Sequence, residues 1–266
     1  MEDVLEDRSL LLSREGGVAT VTLNRPEKHN AINLAMWQAF GRLMPRLAED
    51  DAVDVVVLRG PQGGPFSAGA DISEFTTLRR TPEDAERYGE AVASGEAAIL
   101  AFPKPTIAMV EGFAIGGGSQ VALACDLRLC EPRSRFGITP AKLGIVYALP
   151  STARLVDVVG SAWASWILMT GELVDADTAL RIGLVHEVRD DLEARTAELA
   201  ALLAGRAQVS LRGSKALIRK VCAGERVEDD EVLRHYHDSL HSPEYAEGVQ
   251  AFLAKRAPDF RGARQQ

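Results

Sequence analysis

Over residues 17–24 apolar and polar side chains alternate with a period of two, and the run stops at Arg25-Pro26. The pattern predicts a strand that leaves into a turn. A polar segment from Glu27 to Asn33 follows. Asn33 then stands as an N-cap, because Met36, Trp37, Phe40, Leu43, Met44 and Leu47 recur at helical spacing from Leu34 to about Asp50. Residues 53–60 form a second, largely buried strand. Strand, helix and strand in this order imply parallel βα layering.

Pro61-Gln62-Gly63-Gly64-Pro65 breaks the pattern, and the small residues of Phe66-Ser67-Ala68-Gly69-Ala70-Asp71-Ile72 form a loop whose backbone a ligand can approach. From Ile72 to about Thr81 a mobile or ligand-covering segment is expected, then a helix from Pro82 to Leu100. Thr106 to Val110 reads as a buried strand. Gly116-Gly117-Gly118 then make a turn without side chains, and an apolar helix runs from Ser119 to Ala124. At such a corner the first N–H groups of the helix lack internal partners and point outward at its positive end, where they can hold an oxyanion. The triplet is neither G-x-G-x-x-G with an acidic ribose ligand nor a P-loop.

Two short strands follow, 126–130 and 134–137, then an irregular loop from Thr139 to Pro150 that carries Tyr147. Helices are expected at 151–159, 161–169 and 175–182, with Gly183 as C-cap, and a last short strand at 184–188. From Asp191 onward the pattern is helical, broken at Gly205, Gly224 and Ser242-Pro243. The expected division is a core of residues 1–195 and a helical C-terminal region of residues 196–266.

Composition narrows the function. With 266 residues, 46% hydrophobic and 26% charged, the chain suits a soluble globular protein. A net charge of −8 argues against a nucleic-acid surface. The acidic start Met1-Glu2-Asp3 lacks the form of a signal peptide, and no uncharged run reaches the ~20 residues that span a bilayer. Cys125, Cys130 and Cys222 show no zinc spacing, sit in apolar surroundings and read as reduced core residues, so a cytoplasmic location is expected. The five histidines form no metal-spaced set with acids, and no metal is expected.

Several motifs occur in order along the chain: Leu23-Asn24-Arg25-Pro26 with Asn30-Ala31, then Phe66 to Ile72, Pro103-Lys104-Pro105 with Gly112, and Gly116-Gly117-Gly118. Thr170-Gly171-Glu172 with Gly183-Leu184-Val185, and Phe252-Leu253-Ala254-Lys255-Arg256, complete the set. In these the chain resembles the crotonase superfamily, also called the enoyl-CoA hydratase/isomerase family, over nearly its whole length. The resemblance implies an α/β spiral of ββα repeats with a helical C-terminal region that forms a homotrimer or a dimer of trimers. It implies acyl-coenzyme A thioester substrates and no other cofactor. The shared chemistry is stabilisation of a thioester enolate by two backbone N–H groups, which fall here on Ala70 and Gly117, and such a donor typically contributes ~3 kcal/mol. Contacts to coenzyme A fall on Arg25, Lys28, His29, Ala68, Asp71 and Ile72. Phe252 and Lys255, lent by a neighbouring subunit, match its adenine and phosphate end.

Hydratases of this family use two glutamates as general acid and base. The first position is Gln120 here and the second is Pro140, and no Asp or Glu occurs between Arg133 and Val156. Gln cannot exchange a proton near neutral pH. The loop offers Thr139 and Tyr147 instead, and the segment from Phe136 to Tyr147 resembles that of methylmalonyl-CoA decarboxylases, although those usually keep Glu at the Gln120 position and His where Ala70 stands. Loss of carbon dioxide makes the enolate without a base, so a lyase that decarboxylates a short 2-carboxyacyl-CoA, malonyl-CoA or methylmalonyl-CoA, is the leading expectation. The candidate catalytic set is Ala70, Gly117, Tyr147, Gln120 and Thr139, with Tyr147 on the substrate carboxylate. The alternatives are a hydratase or isomerase with a replaced acid or base, for which Glu74 and Glu111 are the nearest acids in sequence, and a catalytically silent thioester-binding homologue.

Overall fold

The computed structural model describes residues 3–4 and 8–265. Alternation of small and branched residues builds β3 (Val18–Leu23), which forms an antiparallel hairpin with β2 (Leu10–Glu15) after the two-residue β1 (Asp3–Val4). The period-two run predicted only its second strand. Helix α1 (Leu34–Glu49) crosses over to β4 (Val55–Arg59), which pairs parallel with β3. The Asn33 side chain accepts the Met36 N–H, as the N-cap reading required. Within the segment expected to be mobile or ligand-covering, the chain makes a helical turn and the short α2 (Phe75–Leu78), because Asp71 caps the turn through Ser73 N–H. Helix α3 (Pro82–Ala101) opens with a Thr81–Asp84 capping box, a device that contributes about 1 kcal/mol.

Next come β5 (Thr106–Val110), β6 (Phe113–Ile115), α4 (Gly117–Ala124), β7 (Leu127–Cys130) and β8 (Arg135–Gly137). Helix α5 (Leu149–Thr170) is broken at Gly160, whose φ of 75° and ψ of 163° separate the two helices expected there. β9 (Val174–Asp175), α6 (Ala176–Arg181) and β10 (Glu187–Val188) close the core. The last strand is shorter than expected, since Leu184 and Val185 both turn their N–H groups to Ala179 O.

The large sheet has the order β1-β2-β3-β4-β5-β7-β10 and is parallel from β3 onward, while β6-β8-β9 make a smaller sheet. Isolated parallel bridges join Ile32 to Ala70 and Ser67 to Ala114, and β6 pairs parallel with β8. Each turn of the chain therefore places a strand in the large sheet and then a short segment in a second parallel stack. This is the ββα spiral. α1 packs on α3 over one face, while Leu192, Ala200 and Ala204 of α7 (Leu192–Ala204) join a cluster with Val55, Val57, Ile107, Met109 and Leu129.

Helices α8 (Gln208–Cys222), α9 (Asp230–Leu240), α10 (Pro243–Leu253) and α11 (Phe260–Arg264) complete the chain. Cys125 and Cys130 are buried as expected, but Cys222 is exposed, because it ends α8 at the surface. Lys215 Nζ ties α8 to the core through Lys104 O at 2.8 Å and Asp126 Oδ2 at 2.5 Å. Buried Glu244 accepts the N–H groups of Gln208 and Val209, where the positive end of α8 favours a carboxylate.

Candidate active site

The second stack of the spiral brings two loops together. Arg25 donates to Ala31 O at 2.7 Å and to Asp71 Oδ2 at 2.8 Å, and buried Asn30 donates to Pro65 O at 2.6 Å. Ala68 N–H reaches His29 O, so the loop 25–31 holds the loop 65–71 along its length. The Ser73 hydroxyl above all, with Arg25, holds the Asp71 carboxyl below the usual carboxylate range. Asp71 and Arg25 thus shape the loop that carries Ala70. Lys28, His29, Ala68 and Ile72 line its exposed side.

Glycine 69 sits at φ 107°, and a Cβ there would stand 2.8 Å from Ile115 O and 3.7 Å from Gly117 N. Only a glycine lets these backbones meet so closely. A Cβ on Gly117 would lie 3.4 Å from Ala70 N and 3.3 Å from Trp37 Cζ2. The surrounding N–H groups are committed: Gly69 to Ser67 Oγ, Asp71 to Ile32 O, Gly116 to Gly137 O. Those of Ala70 and Gly117 have no protein acceptor among the described residues. The helix begins at Gly117, two residues earlier than expected, so the Gly117 N–H is the first of α4 and carries the positive end of its dipole. Two free donors side by side suit an oxygen that gains negative charge.

Gln120 follows Gly117 by three residues on the same helix face. Its Nε2 donates to Glu96 Oε2 at 2.6 Å and to Ser151 Oγ at 2.8 Å, and Ser151 Oγ donates to Glu96 Oε2 at 2.7 Å. All three residues are buried. Both amide protons are used, so Gln120 Oε1 is the end without a protein partner among the described residues. Reversing the amide would set oxygen against carboxylate and forfeit a charge-assisted bond of about 1.5–3 kcal/mol, which fixes the orientation. Burial pushes the Glu96 carboxyl above its ordinary range, against the opposing pull of Gln120, Ser151 and Arg154.

Tyr147 packs against the core beside this cluster, its Oη enclosed and without a hydrogen-bond partner. Burial first, then the charge of Glu96, pushes the phenol well above its usual value. Tyr147 at neutral pH is therefore a donor. Thr139 stands at the start of a 3-10 turn, Pro140–Leu143, and makes no side-chain cap. Of the two acids nearest in sequence, Glu74 is committed to the Leu34 N–H at 2.9 Å and Glu111 to Arg59 at 3.3 Å. Phe252 and Lys255 lie at the far end of α10, which packs with α9 and α11; Phe252 is 82% exposed.

Ala70, Gly117, Gln120 and Tyr147 were candidates from the sequence, whereas Glu96, Ser151 and Trp37, which the structure sets beside them, were not. Glu96 shares an inward stripe of α3 with Tyr88, Val92 and Ile99. A carboxylate in an apolar stripe at helical spacing was the available signal. Among the described residues, no group of three or more His, Cys, Asp and Glu side chains could hold a metal ion, and no helix is long and apolar enough to cross a membrane.

A ββα spiral that sets two free backbone donors side by side defines an enzyme of the crotonase type, acting on acyl-CoA thioesters. The sequence profile described as Enoyl-CoA hydratase/isomerase matches residues 13–264, and the chain belongs to that family. It is 35% identical over 261 residues to the carnitinyl-CoA dehydratase of Salmonella typhi, covering 96% of this chain and 98% of that one. With the short-chain-enoyl-CoA hydratase of Clostridium acetobutylicum it shares 31% identity, covering 95% and 97% of the two chains. The crystal structure of an enoyl-CoA hydratase/carnithine racemase from Magnetospirillum magneticum superposes with a TM-score of 0.92 at 37% identity, over 97% of this chain and 96% of that chain.

Proposed function

We propose that the protein adds water to, or removes it from, the C2–C3 bond of a short acyl-CoA thioester, through an enolate held by the Ala70 and Gly117 N–H groups. The observation that carries this reading is the carboxyl of Glu96 on Gln120, 2.6 Å from its nitrogen. A carboxylate-bearing substrate placed at Gln120 would meet an amide oxygen, because the Glu96 carboxyl already takes the amide nitrogen. A neutral enoyl or hydroxyacyl chain meets no such penalty. The relatives named as a dehydratase and a hydratase support the same choice.

Decarboxylation of a short 2-carboxyacyl-CoA is the second reading, favoured by the unpartnered Tyr147 Oη, a donor that could receive a carboxylate. One set of assays separates the two. Purified protein is given crotonyl-CoA, 3-hydroxybutyryl-CoA, malonyl-CoA and methylmalonyl-CoA in parallel. Water addition or loss on the first pair supports the proposal. Carbon dioxide release from the second pair, with the first pair untouched, overturns it.

A further inference from the structure

Position 120 holds an amide, yet the pocket around it is not without a carboxyl. The Glu96 side chain comes from α3 and meets Gln120 and Ser151 in a closed ring of three hydrogen bonds. Nothing in the packing of α3 demands a carboxylate there, since Val92 and Ile99 on the same stripe are apolar. A buried carboxyl costs stability, so its presence needs a gain elsewhere. The groups facing it are Gln120 from α4, Ser151 and Arg154 from α5, and Tyr147 from the preceding loop.

We propose that Glu96 is a positioning residue of the active site: by accepting from both Gln120 and Ser151 it presents the Gln120 oxygen to the acyl chain. The carboxyl itself sits on the amide nitrogen, 2.6 Å away. The carboxyl has in effect moved from α4 to the neighbouring helix, and it acts on the substrate through Gln120 instead of touching it. The inference rests on the enolate reading above and deepens it.

The test uses the full-length protein and two readouts. In turnover, Glu96→Gln should lower kcat by roughly 100-fold, the scale of a lost alignment, while KM stays within a few-fold. The double variant Glu96→Gln with Gln120→Glu returns the carboxyl to α4 and should recover activity above either single change. An unreactive probe, acetoacetyl-CoA, gives the second readout, because its C2 proton is acidic enough for the bound enolate to be seen by absorbance. In the wild type the enolate fraction should show a titration step above the ordinary carboxylate range, and Glu96→Gln should remove that step. If no thioester is turned over but the step is present and lost in the variant, the reaction reading fails and the role of Glu96 stands. Unchanged kcat together with an unchanged enolate titration in Glu96→Gln overturns it. Circular dichroism of each variant separates loss of alignment from loss of fold.

Discussion

The Gln120 amide nitrogen donates to Glu96 Oε2 at 2.6 Å, and this one bond ties the first turn of α4 to the inner face of α3. With the bond to Ser151 it decides which end of the amide is left without a protein partner among the described residues. It also gives the molecule a buried group that titrates away from its ordinary range.

That titration has a sign. Burial raises the Glu96 carboxyl in the folded state, so the native protein holds this proton more tightly than the unfolded chain does. Below the unfolded carboxyl value of about 4.3 both states are protonated and Glu96 costs nothing. As pH rises through the raised native value the penalty develops in full, about 1.4 kcal/mol for each pH unit that separates the native value from the unfolded one. Thermal midpoints of wild type and Glu96→Gln, compared from acid to neutral pH, should diverge, with the variant gaining on the wild type as pH rises. Curves that stay parallel would show that Glu96 does not titrate against folding.

Gly117 and Gly118 of the turn should respond differently to one added methyl. At Gly117 a Cβ meets only Trp37 Cζ2 at 3.3 Å and Ala70 N at 3.4 Å, so Gly117→Ala should fold and cover the Ala70 donor. The expected loss is about 10²–10³ in kcat, the value of one oxyanion donor. At Gly118 the methyl would sit 2.7 Å from Ser67 Cβ and 2.8 Å from Ser67 O, backbone that cannot give way, so Gly118→Ala should cost about 1–3 kcal/mol of stability. Urea titration alongside kinetics separates the two. A stable, fully active Gly117→Ala would remove the oxyanion assignment.

What could be read from the chain follows from the range of the interactions. Asn33 as N-cap, the breaks at Gly160 and Gly183, and β3, β4 and β5 were legible because cap chemistry, backbone freedom and periodicity act within a few residues. The pairing of Ala70 with Gly117 was expected only through the motif resemblance, since their backbones meet by a crossover of the spiral. Glu96 was not, because its meaning depends on Gln120, 24 positions on, and on Ser151, 55 positions on. Strand β2 escaped for a different reason: Leu10, Leu11 and Leu12 run together and give no alternation.

Helix α8 should depend on a single ion pair. Asp126 Oδ2 receives Lys215 Nζ at 2.5 Å, Thr106 N–H at 2.8 Å and Thr106 Oγ1 at 2.9 Å, while Lys215 also donates to Lys104 O. Truncating Asp126 leaves a largely buried ammonium without its counter-charge. Asp126→Ala should therefore lower stability by about 3 kcal/mol, whereas Lys215→Met, which keeps the length and removes the charge, should cost less. Hydrogen exchange should locate the loss in α8. Equal costs for the two variants would mean that the pair's charge contributes little.

The C-terminal region carries apolar side chains that one chain leaves in water: at the end of α10 Phe252 is 82% exposed and Leu253 76%, and between α8 and α9 Val227 is 81% exposed. Clusters of this kind mark contact surfaces. We propose that they pack between subunits in a trimer or a dimer of trimers, and that Phe252 and Lys255 then reach the coenzyme A of a neighbouring chain. Light scattering should give three or six times the mass of the chain. Leu253→Asp, in the apolar patch, should reduce that mass and activity together. Lys255→Ala should leave the mass unchanged and raise KM for a full thioester several-fold, with little effect on a substrate truncated to its pantetheine. A wild-type monomer in scattering, with an unaltered KM in Lys255→Ala, would take the C-terminal helices out of both roles.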